Sequence, residues 1–269
     1  MSRIFSVANQ KGGVGKTTTT INLATALALA EQRILVVDMD PQGNLTSGLG
    51  LKGQSAPGGT VYQALTAPEP IEDPGVFILE TRVKDLWLIP ADRNLTGAEL
   101  ELVSLPDRER RLRDIVTPLR DRFDFILIDT PPSLGLLTLN ALVAADAVLI
   151  PLNCEYFALE GLADLVATLR RVRASLNPSL DIVGVLMTMY DERTNLGQQV
   201  SRDIREFFKD RVFETVIPRN IRLGEAPSHG MPAILYDVKS RGSEAYLSLA
   251  RELLAREASA PAANMPAAE

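Results

Sequence analysis

The stretch Lys11-Gly12-Gly13-Val14-Gly15-Lys16-Thr17-Thr18 directly follows the apolar run from Ile4 to Ala8. It departs in one place from the usual phosphate-binding pattern G-x-x-x-x-G-K-[ST], because Gln10 occupies the first glycine position. The three glycines still allow backbone angles that turn successive N–H groups toward one anion. Lys16 is then placed to reach the β and γ phosphates of a nucleotide, and the Thr17 hydroxyl to bind Mg²⁺. We therefore predict a phosphate-binding loop, with one lysine more than the pattern needs.

The residues after this loop predict a helix over 16–30. Their apolar side chains recur at helical spacing, namely Ile21, Leu23, Ala24, Leu27 and Ala28. The N-terminal end of a helix carries partial positive charge and free N–H groups, so this end would face the phosphates. Strand, loop and helix thus follow one another in the order that a nucleotide site requires.

Two buried-type strands deliver carboxylates to the same region. The run Ile34 to Val37 leads into Asp38 and Asp40, and the run Phe125 to Ile128 leads into Asp129. Ligands of open α/β sheets bind at the carboxyl ends of the strands. We expect Thr17, Asp40 and Asp129 to form the Mg²⁺ site of a nucleotide. For Asp38, a structural hydrogen-bonding role and a direct role both remain open.

The whole chain predicts one α/β domain over 1–257 with a doubly wound, mostly parallel sheet flanked by helices. Its 269 residues are 46% hydrophobic, and predicted strands and helices alternate throughout. Residues 258–269 are rich in Ala and Pro and are predicted to be disordered. The predicted strands lie near Ile4, Ile34, Phe77, Trp87, Phe125, Ala147, Ile182 and Phe213. The predicted helices span 16–30, 97–105, 108–120, 135–145, 160–176, 196–209 and 243–256.

Composition excludes several other classes of protein. No run of about eighteen apolar residues is present, and the first strand leaves no room for a signal peptide, so we expect a cytoplasmic protein. Cys154 is the single cysteine, which excludes an internal disulfide, and we interpret it as a packed side chain. His229 is the single histidine, so a histidine-based triad or metal site is hard to assemble.

Six motifs in this order resemble those of the ParA/Soj chromosome-partitioning ATPases, which belong with MinD to the deviant Walker A superfamily of P-loop NTPases. The resemblance covers nearly the whole chain except about 51–85 and the residues after about 256. The motifs are KGGVGKTT at 11–18, VVDMDPQGN at 36–44, IDTPPSLGLLT at 128–138, CEYFALEGL at 154–162, TMYDERTNLG at 188–197 and VIPRNIRLGEAPSHGMPAILYD at 216–237.

The resemblance implies an ATPase that uses ATP and Mg²⁺ and is slow on its own. Lys11 matches the signature lysine, which reaches across a nucleotide-sandwich homodimer to the partner's phosphates; a solvated lysine that assists its own nucleotide is the alternative. At Gly12 the two subunits would approach closely. Asp40 matches the residue that orients the hydrolytic water, so the implied catalytic set is Lys11, Lys16 and Asp40. The implied adenine contacts are Thr188, Met189 and Pro218.

The resemblance also implies non-specific binding of double-stranded DNA, nucleoid association and stimulation by a ParB/Spo0J-type protein. The net charge is -6, but residues 193–222 contain seven basic and four acidic side chains, so positive charge is concentrated there. Arg193 and Arg222 match DNA-binding positions, and Arg219 and Arg241 would widen the patch. Such contacts with phosphates would weaken steeply with salt. A solvated helix face is the alternative.

Three other functions remain open. A MinD-like positioning ATPase would carry a C-terminal amphipathic membrane helix, whereas Ala258 to Glu269 contains two prolines and no basic residue, so we expect no membrane contact. A P-loop ATP-dependent ligase or synthetase would need a substrate pocket, and we expect no unassigned cluster of convergent polar residues between the motifs. A nucleotide-gated scaffold with negligible turnover would not need Asp40.

Overall fold

The computed structural model describes residues 2–155 and 158–259, and its centre is a seven-stranded sheet. The strands are β1 (Arg3–Val7), β2 (Ile34–Asp38), β3 (Leu79–Glu80), β4 (Leu86–Ile89), β5 (Phe125–Asp129), β6 (Ala147–Asn153) and β7 (Asp181–Thr188). Their spatial order is β3-β4-β2-β5-β1-β6-β7. Every pair is parallel except β3 with β4, at one edge. The predicted mostly parallel, doubly wound sheet is therefore confirmed.

Helices cover both faces of this sheet. They are α1 (Lys16–Leu29), α2 (Asn44–Gly48), α3 (Val61–Thr66), α4 (Leu95–Leu102), α5 (Arg111–Val116), α6 (Leu136–Ala144), α7 (Ala158–Ser175), α8 (Asn195–Phe208), α9 (Ile221–Glu225), α10 (Ala233–Tyr236) and α11 (Arg241–Ser259). Short 3-10 turns lie at Pro74–Phe77, Thr117–Leu119, Lys209–Arg211 and Ala226–His229. None of the helices in the described residues combines the length and the apolar character needed to span a bilayer.

Several predicted boundaries are wrong for local reasons. Phe213 lies beside β7 through its N–H to the Val185 carbonyl, but only an isolated bridge forms there. Phe77 ends a 3-10 turn that begins at Pro74, so the strand starts two residues later. The helix predicted over 108–120 is α5 followed by a 3-10 turn, because Pro118 cannot donate an N–H to a continuing helix.

The C-terminal boundary also differs from the prediction, because α11 continues through Ser259. Residues 258 and 259 are thus helical, whereas the remainder of the predicted disordered tail, 260–269, lies outside the described residues. The short helices α2, α3, α9 and α10 were not predicted. Segments of four to six residues contain too few turns for a helical period to be recognised.

The central strands are buried on both faces, which explains their continuous apolar runs. Leu35 and Val37 of β2 face one core with Ile126 and Ile128 of β5, and this core is covered by α4 to α8. Alternate residues of the same strands face a second core, which is covered by α1 and α11. Because β5 lies between β1 and β2, Val7, Asp129 and Asp38 lie side by side at the carboxyl edge. The fold therefore brings the phosphate loop and both acidic strand ends together.

Candidate active site

The loop between β1 and α1 depends on glycine for its shape. Gly13 has φ 72° and Gly15 has φ 87°, in the left-handed region that residues with a Cβ rarely adopt. Gly15 is the N-cap of α1, and its carbonyl accepts the first helical hydrogen bond, from the Thr19 N–H at 2.8 Å. The N-terminal end of α1 therefore faces the loop, as the sequence predicts.

Two buried side chains hold this loop in place. Asn9 donates from Nδ2 to the Pro151 carbonyl at 2.7 Å and accepts the Lys11 N–H at 3.0 Å. Thr188 donates its hydroxyl to the Val14 carbonyl at 2.8 Å. The hydroxyl of Thr188, a predicted adenine contact, is thus used to support the loop. No motif identifies Asn9, because its role depends on contact with a strand far along the chain.

Lys16 lies inside the site with only 7% of its surface exposed. Its Nζ donates to the Lys11 carbonyl at 3.2 Å. Burial lowers the pKa of Lys16, and the negative charges of Asp129 and Asp40 oppose that effect. A lysine with this desolvated ammonium is well placed to bind an anion, because Coulomb attraction is stronger where water is excluded.

Asp129 is fully buried at the end of β5 and receives two hydroxyl groups from α1. Thr17 donates to its Oδ2 at 2.7 Å, and Thr20 donates to its Oδ1 at 3.2 Å. Burial raises the pKa of Asp129 to about 8, and repulsion from Asp38 adds to the effect. A cation beside this carboxylate would favour its ionised form. The structure brings the predicted pair Thr17 and Asp129 together and adds Thr20, which the motif does not identify.

Asp38 and Asp40 have different surroundings although two positions separate them. Asp38 is fully buried, and it accepts hydrogen bonds from the Asp40 N–H at 3.2 Å, the Thr46 N–H at 2.9 Å and the Thr46 hydroxyl at 2.7 Å. This pattern favours the structural role for Asp38. Asp40 instead lies in a cavity wall, where its Oδ1 accepts the Gln42 N–H at 2.9 Å.

A cavity of about 520 Å³ opens over these residues. Its lining contains the predicted residues Gly12, Gly13, Gly15, Lys16, Thr17, Thr18 and Asp40. It also contains the three predicted adenine contacts, Thr188, Met189 and Pro218, together with Ile217, Leu223 and Tyr246, which were not predicted. Tyr190 donates its N–H to the Ile217 carbonyl and forms an isolated β-bridge with Pro218. This pairing holds the residues after β7 beside the segment that contains Pro218. Val14, another residue of the predicted loop, is fully buried.

The donor set fits a magnesium nucleotide. The Thr17 hydroxyl and the Asp129 carboxylate are hard oxygen donors in direct contact, and Asp40 lies in the same wall. Within the described residues, no group of three or more His, Cys, Asp or Glu side chains could hold a metal ion by itself. Phosphate oxygens would therefore complete the coordination, as Mg²⁺ commonly requires.

Lys11 does not line the cavity that Lys16 lines. Its Nζ forms an ion pair with Glu155 Oε2 at 2.8 Å and lies 3.5 Å from Asn153 Oδ1, at the end of β6. The Lys11 side chain is 31% exposed, and the pair lowers the pKa of Glu155. The ammonium of Lys11 is thus at the rim of the site, beside a carboxylate of its own chain.

The four predicted DNA-binding arginines have different neighbours. Arg193 pairs with Asp191 at 2.7 Å, and Arg222 pairs with Glu225 at 2.8 Å and with Asp237 at 3.3 Å. Arg241 is exposed at the start of α11. Arg219 lies in the wall of the nucleotide cavity, and its expected contact with DNA stays a prediction.

A second cavity, of about 530 Å³, lies between α6 and α7. Polar groups of Gln10, Thr138, Asp164 and Arg171 contribute to its lining together with several leucines. Because leucines and a valine share this lining, the cavity by itself is not a cluster of convergent polar groups, and the expectation that no such cluster lies between the motifs stays a prediction. Most of the lining residues come from α6 and α7, whereas Gln10 precedes the phosphate loop.

Cys154 and His229 lie outside the chemistry of the nucleotide cavity. Burial raises the pKa of the Cys154 thiol to about 11, which disfavours the reactive thiolate. His229 stacks on Tyr236 with ring centroids 5.0 Å apart. Both arrangements agree with packing roles.

A glycine loop, a buried lysine and a threonine–aspartate pair at the carboxyl edge of a parallel sheet define a P-loop nucleotide-binding protein. A family model for an AAA domain matches residues 2–182. The chain is 56% identical over 257 residues to the chromosome partitioning protein ParA of Myxococcus xanthus, covering 96% of this chain and 89% of that protein. It is 52% identical over 255 residues to the sporulation initiation inhibitor protein Soj of Bacillus subtilis, covering 95% and 99%. The chain therefore belongs to the ParA/Soj family of chromosome-partitioning ATPases.

Among solved structures, the chain is similar to cobyrinic acid a,c-diamide synthase from Mycobacterium smegmatis with bound ATP analog and magnesium. The TM-score is 0.83 at 36% sequence identity, and the match covers 97% of this chain and 98% of that chain. The similarity extends over almost the whole of both molecules. The fold by itself thus does not separate a partitioning ATPase from a synthase.

Proposed function

We propose that this protein is an ATP-dependent DNA-segregation switch that dimerises with ATP, binds DNA without sequence preference and releases it on hydrolysis. The observation that carries the proposal is the division between two lysines. Lys16 lies within the phosphate cavity, whereas Lys11 lies at the rim with its ammonium directed elsewhere. The close similarity to ParA and Soj proteins supports the same assignment.

In this proposal the cavity binds ATP with Mg²⁺. The N–H groups of 12–18 and the Lys16 ammonium hold the phosphates, and Thr17, Asp129 and Asp40 are the residues near the metal. When bound, Mg²⁺ neutralises charge on the phosphate oxygens. Met189 and Pro218 enclose the base, and Thr188 supports the loop through Val14.

Lys11 acts on the second subunit. To do so it must leave Glu155, and this exchange is inexpensive because exposed ion pairs contribute little. Gly12 suits a close subunit contact: a Cβ there would be 3.7 Å from the nearest heavy atom, on Pro132, so one chain by itself would accept alanine. A larger side chain at Gly12 would therefore obstruct the dimer rather than the monomer.

Hydrolysis depends on positioning and charge rather than on a strong base. Asp40 orients the attacking water, and Lys11 and Lys16 stabilise charge on the transferred phosphoryl group. Turnover of the isolated protein is slow, and a ParB/Spo0J-type partner accelerates it.

DNA binding uses Arg193, Arg222 and Arg241, and it places the protein on the nucleoid. Arg193 has 85% of its side chain exposed and can exchange Asp191 for a phosphate. One such patch is weak, but a dimer presents two, and the second contact benefits from a high effective concentration.

The experiment that tests this function is binding of the purified protein to a random-sequence duplex at two salt concentrations, with ATP, ADP or no nucleotide. We expect binding with ATP only, and a loss on the order of 10-fold or more when salt is raised fourfold, since each phosphate contact releases counterions. Arg222→Glu should weaken binding at both salt concentrations without preventing dimerisation. Equal binding in all nucleotide states would contradict the switch.

Arg33→Glu is the matched control, because it makes the same charge change at the opposite edge of the sheet, where Arg33 pairs with Asp124 before β2. It should leave DNA binding within about twofold of the unmodified protein, since charges further apart than a Debye length are screened. If both variants weaken binding equally, net charge rather than the Arg222 patch governs it.

A synthetase function is the second candidate, and the 530 Å³ cavity between α6 and α7 is the observation that favours it. A synthetase would hydrolyse ATP faster with a small-molecule acceptor, whereas the proposed switch would respond to DNA and a ParB-type protein. A MinD-like protein would instead respond to lipid vesicles. Measuring the ATPase rate with each addition separates the three functions.

A further inference from the structure

The residues that follow Pro218 form a compact surface unit between β7 and α11. We call residues 219–238 the arginine segment. It contains α9, a 3-10 turn and α10, and it carries Arg219 and Arg222. No strand of the sheet belongs to it, so its position depends on contacts with neighbouring helices and loops. Short elements of this kind are among the parts of a protein that rearrange at low cost.

One buried side chain joins this segment to the phosphate-binding helix. Asn22 in α1 accepts the N–H of Ala233 on its Oδ1 at 2.8 Å. Its Nδ2 donates to the Thr18 carbonyl at 2.9 Å. Thr18 lines the nucleotide cavity, and Ala233 is the first residue of α10. Asn22 thus contacts the nucleotide site at one end and the arginine segment at the other, with only 3% of its surface exposed.

A second contact joins the segment to the chain that follows Asp40. Gly50, at the end of the region containing α2, has φ 78°, and Gly230 has φ 60°. A Cβ on Gly50 would lie 2.8 Å from the Gly230 carbonyl oxygen, and a Cβ on Gly230 would lie 2.8 Å from Gly50 Cα. The two backbones therefore pack at a distance that only glycine permits. The arginine segment also lines the nucleotide cavity directly, through Arg219, Asn220, Leu223 and Gly224.

We infer that Asn22 is a positioning residue that couples occupancy of the phosphate loop to the arrangement of the arginine segment. Phosphate bound at Thr18 constrains the first turn of α1, and Asn22 passes that constraint to Ala233. The coupling is reciprocal, because any change in DNA affinity caused by ATP requires an equal change in ATP affinity caused by DNA. This inference rests on the proposed function, and it names the internal contact by which ATP would control the DNA-binding surface.

The test compares Asn22→Ala with the unmodified protein for ATP affinity, ATP-dependent dimerisation and DNA affinity with ATP and with ADP. We expect ATP affinity and dimerisation to remain within about threefold, while the ratio of DNA affinities with ATP and ADP falls on the order of tenfold, a typical size for an allosteric coupling. Thr25→Ala is the matched control. Thr25 is also buried in α1, but its hydroxyl donates to the Ile21 carbonyl of the same helix.

A merely structural role for Asn22 gives a different result. If Asn22→Ala weakens DNA binding equally with ATP and ADP, the ratio is preserved and the inference is overturned. Asn22→Asp provides a second variant, because its carboxylate can still accept the Ala233 N–H but cannot donate to Thr18. In this variant too, the ratio of DNA affinities with ATP and with ADP should fall. An unchanged ratio would exclude the Thr18 contact and overturn the inference.

Hydrogen–deuterium exchange gives a readout that does not require DNA. In the unmodified protein, ATP should change exchange at the amides of Ala233 to Asp237, and this change should be absent in Asn22→Ala. The same exchange response in both proteins overturns the inference. If the unmodified protein shows no ATP-dependent DNA binding, the proposed function fails, whereas normal DNA binding with no effect of Asn22 removes only the coupling.

Discussion

At the residue scale, Asp38 and Asp40 show how burial separates two carboxylates of one motif. Asp38 is surrounded by three donors from its own loop, and burial raises its pKa to about 6. Asp40 accepts the Gln42 N–H on one oxygen and lies in the cavity wall. The first carboxylate holds the loop, and the second lines the cavity.

Replacing Asp40 with alanine should leave ATP binding intact and slow hydrolysis on the order of 100-fold, because the carboxylate that orients water is lost. Single-turnover phosphate release measures this directly. Asp92→Ala is the control, since Asp92 accepts the Asn94 N–H at 2.9 Å in the same kind of turn, beyond the end of β4. A normal rate in Asp40→Ala would remove Asp40 from its assigned role.

At the element scale, β7 contains a glycine, Gly184, beside which there is no room for a side chain. Gly184 lies opposite Leu149 of β6, next to a shift in register between Val148 and Leu149. A Cβ on Gly184 would overlap the ring of Phe213, which is fully buried. The close approach of Phe213 covers the outer edge of the sheet, because its N–H also bonds to the Val185 carbonyl.

Gly184→Ala should therefore destabilise the protein by about 1–3 kcal/mol, the usual cost of overpacking a well-filled core. Urea unfolding followed by circular dichroism measures the change. Gly97→Ala in α4 serves as control, since its Cβ would meet only Glu101 Oε1 at 3.5 Å. That substitution should stabilise the protein by up to about 1 kcal/mol, because alanine favours helix over glycine. Equal effects of both substitutions would refute the packing argument.

At the scale of the whole molecule, the candidate site lies at the carboxyl ends of the parallel strands, and the amino ends form the opposite edge of the sheet. The carboxyl edge gathers the phosphate loop, Asp129 and Asp40, and Lys11 lies at its rim beside Glu155. Lysines at the other edge, such as Lys84 just before β4, have no part in the site. The proposed dimer would join two carboxyl edges through their nucleotides.

Lys11→Ala should abolish ATP-dependent dimerisation while ATP affinity changes less than about fivefold, since Lys11 does not line the cavity of its own chain and a single exposed cation contributes little. Sedimentation velocity with ATP and with ADP measures the association. Lys84→Ala removes the same charge at the opposite edge and should dimerise normally. A dimer that persists in Lys11→Ala would instead favour the solvated role for this lysine.

The sequence by itself determined the parallel sheet, the phosphate loop and the convergence of Lys16, Thr17 and Asp129. These features follow from local patterns: apolar runs that end in carboxylates, and glycines where the backbone must turn toward an anion. Since parallel strands share one edge, the position of each motif after its strand was enough to bring them together. Thr188, Met189 and Pro218 came instead from the resemblance to ParA/Soj proteins; they line the same cavity, and their contact with adenine stays a prediction.

Only the tertiary structure decided which neighbour each polar side chain contacts. Arg219 and Arg222 belong to one motif, yet one faces the nucleotide cavity and the other pairs with Glu225 and Asp237. Asn9 and Asn22 have no motif of their own and act through strands and helices far along the chain. Such contacts depend on how separate helices and strands pack against each other. The hydrophobic periodicity of one segment does not predict which distant segment it will contact.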